Sequence, residues 1–175
     1  VTGDGDLSFD HADWAMARVS CSSTARSTPD AGRYLSDLPW TSMVSGWGPA
    51  ERDRSNGESL TGDGRSMVLR GDLFPKGIGV HAPADVRFAL PAGCSQFQAE
   101  IGVDDETGAR GSAVFEVWAD GVRLYTSPML TGAGDTRSVD LPLSGPANLW
   151  LVVTDGDGDV SHDHADWAMA RVICP

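Results

Sequence analysis

The chain has 175 residues, the size of one domain with a short extension. Apolar residues make up 41 %, including six Trp, enough to fill a packed core. Net charge is −12 with a single lysine, Lys76, so there is no basic face for nucleic acid or an anionic membrane surface. No run approaches the roughly 20 apolar residues of a membrane span, and no signal peptide is recognisable, so secretion would place that signal upstream.

The chain opens on a stretch that it repeats near its end. Residues 3–21, GDGDLSFDHADWAMARVSC, are a near-copy of residues 156–174, GDGDVSHDHADWAMARVIC, at a constant offset of 153 positions. A period about one domain long signals tandem modules, so residues 1–21 are expected to be the last strand of a preceding copy. Residues 22–33 begin with the Ser/Thr-rich run SSTARSTPD and read as a linker. The main domain then spans residues 34–175.

Within that domain the pattern is nearly all β. Tyr34–Trp40 reads as one short turn. Strands are expected at Ser66–Leu69, Gly77–Val80, Val86–Leu90, Phe97–Val103, Ala113–Trp118, Val122–Thr126, Ser138–Leu141, Leu149–Val153 and Trp167–Ile173, separated by Gly, Pro, Asp and Asn. Asp120-Gly121 joins two of them, as in a hairpin whose turn needs positive φ. Even strand spacing without helices points to an antiparallel β-sandwich, of jelly-roll type as first choice. Trp14, Trp118, Trp150 and Trp167 fall on strands and are assigned to core or inter-sheet packing.

Of the three cysteines, Cys21 is the repeat partner of Cys174, which leaves Cys94 and Cys174 to one module. A Cys94–Cys174 disulfide and an oxidising compartment follow as the hypothesis; three buried thiols are the alternative.

Carboxylates concentrate in two places. Asp155, Asp157, Asp159, Ser161, Asp163 and Asp166 take places 1, 3, 5, 7, 9 and 12 of a loop, the spacing by which an EF-hand wraps calcium. Val160 stands where the EF-hand turn needs Gly, and the twelfth place is Asp, so an EF-hand is rejected. The narrower expectation is a calcium ion held by several of Asp155, Asp157, Asp159, Asp163 and Asp166. The alternative is a solvated turn whose aspartates bond local backbone. Asp104, Asp105 and Glu106 form a second group in a Gly-flanked loop, fit for metal, for sugar hydroxyls, or for capping a turn.

Nothing reads as an enzyme. There is no G-x-S-x-G elbow and no H-E-x-x-H, and 25 acidic residues make some carboxylate pair inevitable by chance. Sugar recognition needs a flat apolar face and a few polar groups. Trp47, between Gly46 and Gly48, is the tryptophan placed to be presented by a loop, with Glu51, Arg52, Asp53 and Asn56 in reach.

The ordered motifs YLSDLPW (34–40), GWGPAERDRSNGE (46–58), KGIGVHAPADV (76–86), IGVDDETG (101–108), VFEVWADG (114–121) and DHADWAMARV (163–172) resemble the NPCBM family, carbohydrate-binding module family 51. The resemblance covers residues 34–174. It implies a jelly-roll sandwich that binds a galactose-type glycan, carries a structural calcium, and accompanies the catalytic domain of a secreted glycoside hydrolase. It places sugar contacts on Trp47, Glu51, Asn56 and His81, with Asp104, Asp105 and His164 as further candidates. A calcium-stabilised spacer or interaction module without its own sugar site is the alternative. His81 and His164 also have a plainer reading, as core-edge residues bonded to backbone.

Overall fold

The computed structural model describes residues 32–175. The expectations for residues 1–21, for Trp14 and Cys21, and for all of the linker except its last two residues lie outside that range.

Among the described residues, the first strands in chain order are β1 (Arg33–Tyr34), β2 (Trp40–Val44), β3 (Glu51–Arg52), β4 (Met67–Leu69) and β5 (Asp72–Phe74). Next come β6 (Gly77–His81), β7 (Ala84–Ala89), β8 (Gln96–Val103), β9 (Ser112–Ala119) and β10 (Val122–Thr126). The last are β11 (Leu130–Thr131), β12 (Thr136–Pro142), β13 (Asn148–Asp155) and β14 (His164–Ile173), and 3-10 turns occupy Leu35–Asp37 and Asp105–Thr107. One sheet runs β12-β8-β14-β6-β3 with β1 beside β14; the other runs β10-β9-β13-β7-β2 with β11 beside β9. β4 and β5 form a separate hairpin. Every pairing is antiparallel. From β6 to β9, and again from β12 to β14, the chain crosses from one sheet to the other at each step. The expected β-sandwich is therefore the fold.

Side-chain alternation builds the core. Phe115 and Val117 of β9, Leu149, Leu151 and Val153 of β13, and Val86 and Phe88 of β7 point inward. They meet Ile78, Val80, Phe97, Ile101 and Val172 of the facing sheet, all buried. Trp167 is fully buried, its ring edge-on to Phe115 at 5.0 Å and Phe97 at 6.3 Å. The same alternation corrects the reading of two other tryptophans. Trp118 and Trp150 are register partners on the outer face of their sheet, stacked at 6.2 Å and only partly buried. Arg123 lies over Trp118 and Arg87 over Trp150, which continues the stack across four strands.

The hairpin at Asp120-Gly121 forms as expected, with φ of 45° and 82° at its two turn residues. Strands β1, β2, β3, β5 and β11 were not anticipated. Four of these have only two or three residues, too short to show a period of two.

Strand direction gives the sandwich two different poles. β6, β8 and β13 end, and β9 and β14 begin, at one pole. Gly32 and Pro175 lie at the other, since β1 pairs with the last residues of β14 (Arg33 opposite Val172). Cys94 and Cys174 are joined by a disulfide at that second pole. The ten residues of β14 separate the poles by about 30 Å at ~3.3 Å per residue. Gly32 and Pro175 thus lie at one end, and the long loops at the other.

Candidate functional site

The loop pole gathers Trp47, Asn56, His81, Glu106 and His164 from five segments of chain. Trp47 follows β2 and is 60 % exposed. Two glycines hold it there. Gly46 donates its N–H to the His81 carbonyl at 2.9 Å, and a Cβ on Gly46 would strike the Ala82 backbone. Gly48 has φ +61°, and its missing Cβ is what lets the Gly57 carbonyl approach. Ser45 ties this loop to the end of β6, because its hydroxyl accepts the His81 N–H at 3.0 Å.

His81 is buried and its Nδ1 faces the Ala82 carbonyl at 2.8 Å. That nitrogen must therefore carry the proton, which leaves Nε2 as an acceptor in the neutral ring. Burial, with the charges of His164 and His162 behind it, holds the His81 pKa below the ordinary histidine value. The two rings meet edge-on at 5.2 Å. His164 opens β14, and its Nδ1 lies 2.7 Å from a Glu106 carboxylate oxygen. Burial works to raise the Glu106 pKa, but the His164 hydrogen bond and charge, with Ser55 and Arg65, outweigh it and hold the carboxyl below its usual range. Arg65 stands 3.8 Å from Glu106 with its side chain largely in solvent.

Beside this pair is a cavity of about 220 Å³ lined by Asn56, Glu58, Ser59, Asp63, Gly64, Arg65 and Glu106. Asn56 is 1 % exposed, and its side-chain NH₂ has no partner within the protein. A buried amide donor left unpaired costs on the order of 1–3 kcal/mol.

The structure gives other duties to Glu51, Asp104 and Asp105 of the sequence candidates, and adds Asp63 to them. Glu51 is buried, and one carboxylate oxygen accepts the Gly62 N–H, which folds the 57–64 loop over the cavity. Asp63 accepts the backbone N–H groups of Glu58, Ser59 and Leu60 and closes that loop. Asp104 caps the 105–107 turn through the Glu106 N–H at 2.8 Å and also accepts the Val68 N–H at 2.9 Å. Asp105 accepts from Arg70 and Gly71 in the β4–β5 turn. Of the three consecutive carboxylates, only Glu106 is directed at the cavity.

The NPCBM/NEW2 family model matches residues 32–173. The chain belongs to the NPCBM/NEW2 domain family. This NPCBM chain is 40 % identical over 147 residues to a protein of Renibacterium salmoninarum named as an endo-alpha-N-acetylgalactosaminidase, a match over 83 % of this chain and 10 % of that protein. It therefore spans about a tenth of that relative. Among solved structures it is similar to the CBM51 module of Clostridium perfringens GH95 in complex with methyl-galactose, at 32 % identity and TM-score 0.72, over 81 % of this chain and 99 % of that one. The CBM51-2 module of C. perfringens ZmpB in complex with GlcNAc gives 26 % identity and TM-score 0.74, over 82 % of this chain and 32 % of that one.

In the NPCBM fold the aspartates read as a calcium loop separate into two groups. Asp155, Asp157 and Asp159 each turn Oδ1 back onto the loop, accepting the N–H groups of Asp157 and Gly158, of Asp159, and of Ser161 respectively. Asp163 is buried, and its Oδ1 takes the Ser112 N–H at 2.7 Å. Burial raises the Asp163 pKa to about 6; the Ser112 bond opposes this, and the charges of Asp155, Asp157 and Asp159 add to it. Asp166 belongs elsewhere. Strand pairing sets it opposite Gly79 and Gly102, and the carboxyls that bear on it are Asp104, Glu106 and Asp105. Among the described residues no three acidic, histidine or cysteine side chains converge as a metal cage. A single shell of all five aspartates is thus not what the strand register allows.

Proposed function

We propose that this domain is a non-catalytic module that binds a terminal galactose-type sugar, galactose or N-acetylgalactosamine, and brings an attached glycoside hydrolase to glycans outside the cell. The observation that carries the reading is the unpaired, buried Asn56 amide in a small cavity, beside the His164–Glu106 pair and flanked by an exposed Trp47. A galactose-type ring offers one face of C–H groups to an aromatic surface and adjacent hydroxyls to donors and acceptors on the other side. The Asn56 NH₂ is a donor, His81 Nε2 an acceptor, and Glu106 a charged acceptor. The methyl-galactose complex of the GH95 module supports the sugar class, and the R. salmoninarum relative supports the hydrolase context.

A glycan array followed by titration calorimetry is the test. Galactose-terminated glycans are expected to bind at micromolar to millimolar Kd, about −4 to −8 kcal/mol. Trp47→Ala is expected to abolish the array signal while circular dichroism stays unchanged. A wild-type array without hits would instead favour a spacer module.

The tautomer of His81 gives a pH signature. Because its pKa is depressed, Nε2 stays unprotonated at neutral pH, and affinity is expected to be level from pH 8 down to the ordinary histidine value, about 6.5. It then declines at lower pH as Nε2 gains a proton and ceases to accept. Calorimetry across pH 5–8 checks this, and a midpoint at or above the ordinary histidine value contradicts it.

We propose further that calcium stabilises the 155–163 segment. Asp163 Oδ2 and Ser112 Oγ are buried without a protein partner, next to a cavity of about 550 Å³ lined in part by Asp157 and Asp159. Hard oxygen ligands of this kind suit calcium. EDTA is expected to lower the Tm by several degrees and added calcium to restore it; an unchanged melting curve rejects the ion.

A further inference from the structure

Asp166 is a fully buried carboxyl that the sugar contacts do not explain. It is 0 % exposed near the start of β14, and neither of its oxygens accepts a hydrogen bond from any donor in the protein. Its neighbour Asp104 is 1 % exposed. Two buried carboxylates side by side repel strongly, and the arrangement is stable only when one of them is neutral. The proton belongs on Asp166. Asp104 already accepts the Val68 and Glu106 N–H groups, one on each oxygen, and Asp166 accepts none. Burial and the charge of Asp104 both push the Asp166 pKa well above the carboxylate range.

Asp104 in turn holds both members of the Glu106–His164 pair. Its side chain caps the turn that starts Glu106, and its backbone N–H reaches the His164 carbonyl at 2.9 Å. We infer that Asp166 is a positioning residue of the sugar site: as a neutral acid it donates a hydrogen bond to Asp104, and so fixes Glu106 against His164. The inference rests on the reading of this pole as the sugar site, but its structural half stands apart from any sugar.

The test compares Asp166→Asn, which keeps a neutral donor, with its isostere Asp166→Leu, which has none. Two readouts are taken: the His164 Nδ1–H resonance by NMR without sugar, and the affinity for methyl galactoside by calorimetry. Asp166→Asn is expected to keep the resonance and to bind within about twofold of wild type. Asp166→Leu is expected to lose the resonance and at least tenfold in affinity, with circular dichroism unchanged. Where Asp166→Leu does not fold, Asp166→Ala takes its place. Two results overturn the inference: loss of the resonance in Asp166→Asn, which would mean that the site needs a charge there, or its retention in Asp166→Leu. If wild type binds no galactoside, the sugar reading fails while the resonance still decides the role of Asp166.

Discussion

Removing the Cys94–Cys174 bridge is expected to lower stability by about 4 kcal/mol and the Tm by roughly 15 °C, with sugar affinity unchanged. The bridge spans 80 residues of sequence. In the chain-entropy picture a loop of that length restricts the unfolded state by between ~3 and ~4.7 kcal/mol, near the upper value. That is a large share of the 5–15 kcal/mol typical of a whole domain. The two cysteines also sit where a tether acts on the molecule. Cys94 precedes β8 and Cys174 follows β14, the central strands of one sheet, and both lie at the pole of Gly32 and Pro175. The proposed sugar contacts lie at the other pole, about 30 Å away, and depend on loops that the bridge does not touch. Thermal melts of the Cys94→Ser/Cys174→Ser double variant, and of wild type in reductant, check the stability, and calorimetry checks the binding. A Tm change under 3 °C would show that the sandwich stands without the staple.

How much of this was legible beforehand depends on whether a feature is local. The hairpin at Asp120-Gly121 was readable because turn chemistry and alternation sit within fifteen residues of chain. The same alternation set Glu116 and Trp118 opposite to Phe115 and Val117, so the outward position of Trp118 was already implied. β2 was missed for a local reason too: its pairing slips between Trp40 and Ser42, and the bulge breaks the period. The site was harder because it is built from long-range contacts. Asp104, Asp105 and Glu106 are consecutive carboxylates with nothing in the sequence to separate them. Their roles diverge only because the 105–107 turn packs on β4 and the β4–β5 turn, whose N–H groups engage the first two carboxylates. Asp166 shows the opposite error, since regular spacing joined it to a loop from which the register of β14 removes it. Arg65 carried no signal at all. It comes to Glu106 because Ser55 and Arg65 exchange hydrogen bonds across the base of the 57–64 loop.

Glu106→Ala is expected to weaken galactoside binding by about 2–3 kcal/mol, roughly 30- to 150-fold, and to do so without unfolding the domain. Glu106 is a partly buried carboxylate set between His164 and Arg65. Its carboxylate fixes the His164 ring through Nδ1 and faces Arg65 on the other side. Truncation therefore removes a charged acceptor from the cavity and frees the histidine beside it to reorient. Stability should register the same loss with a definite sign. A carboxyl held below its usual pKa adds stability above the ordinary Glu range and loses it as pH falls through the depressed value. The variant should thus lie closest to wild type in Tm at acid pH and furthest from it at neutral pH. Glu58→Ala provides the control, because Glu58 is an exposed residue lining the same cavity, and it bonds Asp63 through its backbone N–H, which the substitution keeps. It should change affinity less than threefold. Equal losses in the two variants would assign the effect to the overall negative charge of the rim and count against a specific contact at Glu106.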